Sequence, residues 1–144
     1  MANAQLWVIN NTEPLALTGS ANVLKKRFVA PDGSGYPAAG GSALGVALFP
    51  GVTGQTIDVV TAGIPVVTAG GTLAVGDYVV SDVNGQAVKA STLTATTPAG
   101  STAVTSTSAN PAMTIAGSVP SEHVLGRALT DASSGDDVRV ELLF

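Results

Sequence analysis

The segment Val79-Val80-Ser81-Asp82-Val83-Asn84-Gly85-Gln86-Ala87-Val88 is the stretch of this 144-residue sequence that decides the fold. Two runs of β-prone residues flank Asn84-Gly85, and Asn-Gly is the strongest short signal for a two-residue hairpin turn. A type I′ turn of this kind needs positive φ at both central residues, which Asn and Gly adopt readily. The segment therefore predicts a β-hairpin.

Short alternating segments of the same character recur along the chain, between turns rich in Gly, Pro, Asn and Asp. No window has the pattern of an amphipathic helix. Many short strands with regular turn signals are typical of a β-sandwich or a small barrel. We therefore expect an all-β fold, a compact antiparallel β-sandwich or small barrel, with strands at Leu6–Ile9, Val23–Val29, Ala43–Phe49, Thr56–Val60, Tyr78–Val80, Ala87–Ala90 and Val138–Leu143.

The length of the chain suits one domain with a modest core. We expect residues 1–20 to form an extended N-terminal arm or a first strand, and residues 21–144 to form a single β domain. Within that domain, residues 91–118 are rich in Ser, Thr and Ala and poor in charge. This Ser/Thr-rich insertion is either a long surface loop or a set of Thr-rich strands, and the sequence leaves both open.

An internal repeat is visible in two separated segments. Leu44-Gly45-Val46-Ala47-Leu48 matches Leu125-Gly126-Arg127-Ala128-Leu129, and each is followed by a similar segment, Gly54–Val59 or Gly135–Val140. The spacing is constant, because residues 44 and 125, and residues 54 and 135, are both 81 apart. The pattern predicts two similar hairpins packed about a pseudo-dyad. The alternative is chance similarity in a sequence of low complexity.

The composition points to a binding function. Only 11% of the residues are charged, against about 25% in typical soluble domains, while 45% are hydrophobic. A lone monomer with so little charge would expose apolar area, so we expect sister subunits or a larger partner to cover part of the surface. The net charge of −4 argues against binding to a phosphate backbone. The basic run Lys25-Lys26-Arg27 is either a solvated strand face or a contact for an acidic patch on a partner.

The sequence offers little for catalysis or metal binding. It has one His and no Cys, whereas a metal site needs several converging ligands. The segment around Ser42 departs from a nucleophile elbow, because its second Gly is one place too far along. None of the lysines follows a Gly as a phosphate-binding loop requires. We therefore expect no catalytic, cofactor-binding or metal-binding residues, no cofactor and no enzymatic activity, and we interpret His123 as a surface or strand-end residue rather than a catalytic base.

The N-terminal region carries the single tryptophan. Residues 1–5 lack the pattern of a secretion signal, and no apolar run approaches the length of a membrane span, so we expect synthesis in the cytoplasm and no membrane partner. Trp7 lies within Leu6–Ile9. This segment either pairs as a first strand or anchors an arm on another subunit, since Trp is favoured at interfaces.

Five segments of the chain combine an apolar strand, a Gly-Asp-x-Val element, an Asn-Gly turn and a Gly-x-Ala-Leu element before a β-rich end. The segments are Ala62–Val66, Gly71–Val79, Asn84–Val88, Val124–Leu129 and Val138–Leu142. In this combination they resemble the capsid decoration or cement proteins of tailed bacteriophages, and the likeness covers roughly residues 43–144.

The resemblance implies a structural protein on the outer capsid surface of a virion, made in the host cytoplasm. It would bind the major capsid protein, stabilise contacts between capsid subunits and form a homo-oligomer, with a trimer favoured. It implies no nucleic-acid partner and no catalytic residue. We expect part of the contact to lie within Ala2–Leu17. The alternative is a fibre or adhesin module that binds a host-surface ligand. The candidate interface residues are Leu6, Trp7, Val8, Ile9, Lys25, Lys26 and Arg27.

Overall fold

The structure, a computed structural model, describes residues 10–19, 21–92 and 122–144. These ranges contain β-strands and no helix, which confirms the all-β expectation. In chain order the strands are β1 (Asn11–Ala16), β2 (Asn22–Val23), β3 (Phe28–Val29), β4 (Gly45–Ala47), β5 (Gly51–Val52), β6 (Thr56–Ala62), β7 (Val66–Thr68), β8 (Tyr78–Ser81), β9 (Ala87–Lys89), β10 (Gly126–Ala128) and β11 (Asp137–Leu142).

The strands form antiparallel sheets, and an isolated parallel bridge joins Ala69, which follows β7, to Ala87 of β9. One sheet has the order β1-β6-β4-β3, another has the order β7-β11-β10-β8-β9, and β2 pairs with β5. The sandwich-like expectation is thus confirmed, and no sheet in the described ranges closes into a barrel. All the strands belong to one compact unit, Met1–Ala90 with Glu122–Phe144. The expected insertion at 91–118 falls in a second unit, Ser91–Ser121, and lies outside the described residues apart from Ser91 and Thr92.

The internal repeat is a repeat of structure. The order β1-β6-β4-β3 reappears as β7-β11-β10-β8, so we call the segment with β1 to β6 repeat 1 and the segment with β7 to β11 repeat 2. The registers also agree: Ala47 faces Val59 in repeat 1, and Ala128 faces Val140 in repeat 2. Chance similarity would not reproduce both strand order and register, so the repeat prediction is correct at the level of the fold.

The Leu-Gly-x-Ala-Leu motif is explained by close backbone approach. A Cβ built on Gly45 would lie 2.0 Å from the carbonyl oxygen of Val60, and one on Gly126 would lie 2.5 Å from that of Glu141. These are equivalent contacts between equivalent strands. Only Gly allows the two backbones to come so close, since real Cβ atoms do not approach other atoms within 3.0 Å.

Each repeat has its own hydrophobic core, and the two cores use equivalent positions. Burying a Val or Leu side chain is worth about 1.5–3 kcal/mol, so these positions supply most of the stability of each half. Written with the repeat 1 residue first, the pairs are Leu15 and Val67, Leu17 and Ala69, Val23 and Leu73, Val29 and Val79, Leu44 and Leu125, Ala47 and Ala128, Ile57 and Val138, and Val59 and Val140.

The two repeats do not pack as a dyad. Phe28 and Val46, on the outer face of repeat 1, are buried in the core of repeat 2. Their equivalents on repeat 2 are Tyr78, which is 57% exposed, and Arg127, which is also exposed. A dyad would give equivalent residues the same surroundings. The expected pseudo-dyad is therefore wrong, and repeat 1 packs on repeat 2 through a one-sided contact.

The predicted hairpin is present as β8 and β9, but its turn type differs from the expectation. Gly85 has a φ of 69°, whereas Asn84 does not have positive φ. The Asp82 carboxylate accepts hydrogen bonds from the backbone N–H groups of Asn84 and Gln86. These bonds, with the Gly85 N–H to the Asp82 carbonyl, stabilise a longer turn than type I′.

The single strand predicted at Val23–Val29 is wrong. It divides into β2 and β3 around Lys26, which has a φ of 60° and is the only non-glycine residue with positive φ in the described ranges. A left-handed residue ends a strand, because it turns the backbone away from the pleat. The sequence gives no sign of this turn, since Lys rarely adopts that conformation.

Candidate interaction surfaces

Lys26 joins the two repeats. Its backbone N–H donates to the carbonyl of Ala47 in repeat 1 at 2.8 Å, and its own carbonyl accepts from Thr68 N–H in repeat 2 at 2.9 Å. Its ammonium group forms an ion pair with Asp137 of repeat 2. The backbone groups and the ammonium group of Lys26 therefore all make contacts within the chain.

The equivalent position in repeat 2 explains the backbone of Lys26. Gly76 has a φ of 91°, and its N–H donates to Ala128, the equivalent of Ala47. The turn thus requires a left-handed residue in both repeats, and glycine meets that requirement without strain in one of them. Lys26 keeps the strained conformation at the place where its side chain reaches the other repeat.

The other two basic residues differ in how far they are engaged. Arg27 is half-buried, and its Nη1 donates to the carbonyl of Asn84 at 3.0 Å. Lys25 is exposed and makes no hydrogen bond or ion pair within the described ranges. Of the three candidate interface residues in this run, Lys25 is the one whose charge remains available to a partner.

The hydrophobic interface residues predicted near the N-terminus lie outside the described residues: Leu6, Trp7, Val8 and Ile9. The part of Ala2–Leu17 that is described has a role within the domain. β1 pairs along β6 over its whole length, and Leu17 is buried with 2% of its surface exposed. Removing all of Ala2–Leu17 would therefore take away an edge strand and a core residue together.

Ser42 and His123 lie on neighbouring backbone segments. The His123 N–H donates to the carbonyl of Gly40 at 2.9 Å. Both residues are exposed, as expected for His123, and no hydrogen bond joins the Ser42 and His123 side chains. A nucleophile needs such a bond to its base for activation. Over residues 10–19, 21–92 and 122–144, no cluster of His, Asp or Glu could hold a metal ion, and no helix there is long and apolar enough to span a membrane.

The acidic residues mainly stabilise turns. The pKa of Asp77 is lowered because its carboxylate pairs with the Lys89 ammonium group and accepts the Ala74 N–H. The pKa of Asp32 is lowered by hydrogen bonds from Ser34. Asp136 accepts the N–H of Ser133 across the β10–β11 connection. These three carboxylates are therefore used in contacts within the chain.

Exposed apolar side chains gather beside the β2–β5 pair. Leu24 is 52% exposed, Phe49 is 61% exposed and Val52 is 49% exposed, and Leu48 adjoins them at 40%. We call these four residues the apolar patch. Leu48 and Phe49 fall within the strand predicted at Ala43–Phe49. The patch could not be predicted, because it becomes visible only when β2 and β5 are known to pair.

Comparison with known structures then identifies a related fold. The fold is similar to that of a phage head protein. The chain superposes on the N base of the head fibre gp8.5 of bacteriophage phi29 with a TM-score of 0.61, covering 92% of this chain and 95% of that one, at 18% sequence identity. No family model matches the chain, and no curated protein sequence matches it.

The likeness extends over nearly the whole of both chains, so it includes both repeats. At 18% identity it establishes a shared fold. It agrees with the likeness to phage head proteins that the sequence motifs indicated, and that prediction is confirmed at the level of the fold.

Proposed function

We propose that the chain is a non-catalytic structural protein that binds the outer surface of a phage head and stabilises contacts between major capsid subunits. The observation that carries this proposal is the whole-chain fold likeness to the base of a phage head fibre. That fold is therefore compatible with attachment to a phage head. The low charge and the apolar patch support a protein that works by surface contact.

Many copies on one shell would act together. Weak contacts repeated over a symmetric capsid gain overall avidity through multivalency, because binding at one site raises the effective concentration at neighbouring sites. Apolar area buried at the seams between capsid subunits contributes about 25 cal/mol per Å² before the cost of association. A small domain can therefore stabilise a large shell. We propose a homo-oligomer, with a trimer favoured, as the bound form.

Co-sedimentation with purified mature capsids tests this proposal. The expected result is saturable binding and a higher temperature at which the shells burst. Lysozyme or another protein of similar size serves as the control for trapping in the pellet. Absence of saturable binding at micromolar protein would contradict a cement role.

The N-terminal contact is tested with a shorter deletion than the sequence suggested. Deleting residues 2–9 leaves β1 and Leu17 in place, so the domain should still fold. We expect the truncated protein to keep its far-UV circular dichroism spectrum and to lose capsid occupancy. Full occupancy after this deletion would show that the contact lies elsewhere on the domain.

The likeness to the base of a head fibre also favours a second candidate, a fibre or adhesin module. In that case the chain would itself bind a ligand on the host surface. Binding of the labelled protein to host cells, measured in parallel with capsid binding, separates the two. Cell binding without an effect on shell stability would favour the fibre module.

A further inference from the structure

The apolar patch lies on the outward side of a short strand pair. In this pair Asn22 faces Val52, and Val23 faces Gly51. Val23 and Gly51 are buried, so the alternation of side chains places Val52 and Leu24 on the outer side. Leu24 and Val52 are therefore exposed by the geometry of the pair. Leu48 and Phe49, which precede β5, are exposed as well, and no described part of the chain covers the four side chains.

Repeat 2 provides an internal comparison for this place. Leu73 bridges to Ala132 there, as Val23 pairs with Gly51 in repeat 1. The residues that correspond to Leu24, Phe49 and Val52 are Ala74, Thr130 and Ser133. The fold therefore forms without large apolar side chains at these three positions, while Leu48 of the patch corresponds to Leu129. The patch on repeat 1 needs a reason other than folding.

A groove lies at the same place on repeat 2. It is shallow and open to solvent, with a volume of about 410 Å³, and its lining includes Thr72, Leu73, Ala74, Asp131, Ser133 and Asp136. We call it the acidic groove. Small side chains line it where repeat 1 has Leu24 and Val52, because Ala74 and Ser133 stand at those positions. One repeat thus carries apolar projections where the other carries a groove with an apolar floor.

The charges beside the two surfaces are complementary. Lys25, which adjoins the patch, is exposed and unpaired within the described ranges. Asp131 and Asp136 line the groove and are exposed. Each of these carboxylates uses one oxygen to accept a backbone N–H, from Val75 at 2.9 Å and from Ser133 at 3.0 Å. Contact of patch with patch would instead bring two Lys25 residues together.

We propose that the apolar patch of one copy of this chain docks in the acidic groove of a second copy. The two surfaces differ, so the contact is heterologous. Repeating this contact from copy to copy forms a ring when the rotation that relates neighbouring copies closes. The proposal deepens the self-association part of the proposed function and names its interface. It concerns the purified protein alone, so its failure would leave capsid binding untouched.

Disulfide trapping between two variants tests which surfaces meet. The chain has no cysteine, so each introduced thiol is unique. Phe49→Cys and Ala74→Cys proteins with different tags are mixed and oxidised. A disulfide forms only when Cα atoms come within about 7 Å, so we expect the mixed disulfide to predominate. Val124→Cys is the matched control: it is 42% exposed, lies at the other end of β10 and should not pair with Ala74→Cys.

Two outcomes of the trapping would overturn the proposal. If Phe49→Cys forms a disulfide mainly with itself, the patch pairs with a second patch. If neither variant forms an intermolecular disulfide and the protein sediments as a monomer at micromolar concentration, no such interface exists in solution.

Sedimentation of further variants provides an independent measurement. Phe49→Ser should weaken self-association about tenfold or more, as expected for an aromatic residue at the centre of an interface, while Val124→Ser should have no effect. Lys25→Gln and Asp131→Asn should each weaken self-association. If the two charges touch, the double variant should self-associate no more weakly than the more affected of the two single variants. A loss of capsid binding by Phe49→Ser with self-association unchanged would assign the patch to the capsid and contradict the proposal.

Discussion

The packing of Phe28 against repeat 2 gives a quantitative prediction. Phe28 has no exposed surface and lies in the core of repeat 2, whereas its equivalent Tyr78 is 57% exposed. Truncation of a buried Phe to Ala costs about 3–5 kcal/mol, because it removes apolar contacts and leaves a cavity. Less than half of the Tyr78 side chain is buried, so Tyr78→Ala should cost about 1 kcal/mol or less.

Urea unfolding followed by far-UV circular dichroism measures the loss in free energy of unfolding for both variants, and thermal unfolding measures the change in Tm. For a domain of this size each kcal/mol shifts Tm by about 2–4 °C, so Phe28→Ala should lower Tm by about 6–20 °C. Phe28→Leu keeps most of the volume and should cost less than about 1.5 kcal/mol. Similar losses for Phe28→Ala and Tyr78→Ala would refute the one-sided packing of the repeats.

Three further predictions concern single positions. Gly45→Ala and Gly126→Ala should each lower the free energy of unfolding by about 3 kcal/mol or more in chemical unfolding, because a Cβ would meet a backbone carbonyl. The control Gly71→Ala, which has open space around it, should be close to neutral. A tolerated Gly45→Ala would contradict the close strand approach. Lys26→Gly should be about 1 kcal/mol more stable than Lys26→Ala, since both lose the ion pair but only Gly adopts positive φ freely; the reverse order would show that the turn is not left-handed. The folded-state pKa of Asp77 is depressed, so the contribution of Asp77 to stability is present above its ordinary pKa of 3.8 and is lost as pH falls through the lower folded value. The free energy of unfolding of the wild-type protein and of Asp77→Asn should therefore depend differently on pH in the acid range. The same dependence for both proteins would contradict this.

The β-hairpin and the repeat could be predicted because each has a local signature. Asn84-Gly85 marks a turn whatever surrounds it, and the Gly-x-Ala-Leu element reflects a strand contact that only Gly allows. The first halves of the repeats share an apolar pattern but few identical residues, as Leu15 and Val67 illustrate. The sequence therefore shows only the second half of the duplication.

The missed elements depend on contacts that are distant in sequence. β1 contains Glu13 and Pro14 and has little strand character of its own, yet it pairs with β6 about 45 residues further on. The break at Lys26 is imposed by its bonds to both repeats. Tertiary contacts override local propensity at both places.

The candidate interaction surface was only partly predictable. The basic run drew attention to Lys25, which is exposed, but Lys26 is held by Asp137 and Arg27 by Asn84. Charge in a sequence does not reveal such internal partners. The apolar patch was hidden for a related reason, because its residues come from two segments that the pairing of β2 with β5 joins.

Electron cryo-microscopy of mature heads, with and without the protein, tests the central claim most directly. We expect additional density on the outer surface of the heads, at repeated sites where neighbouring major capsid subunits meet, and we expect it to fit the two-repeat domain. Heads that look the same with and without saturating protein would contradict the proposed attachment to the capsid.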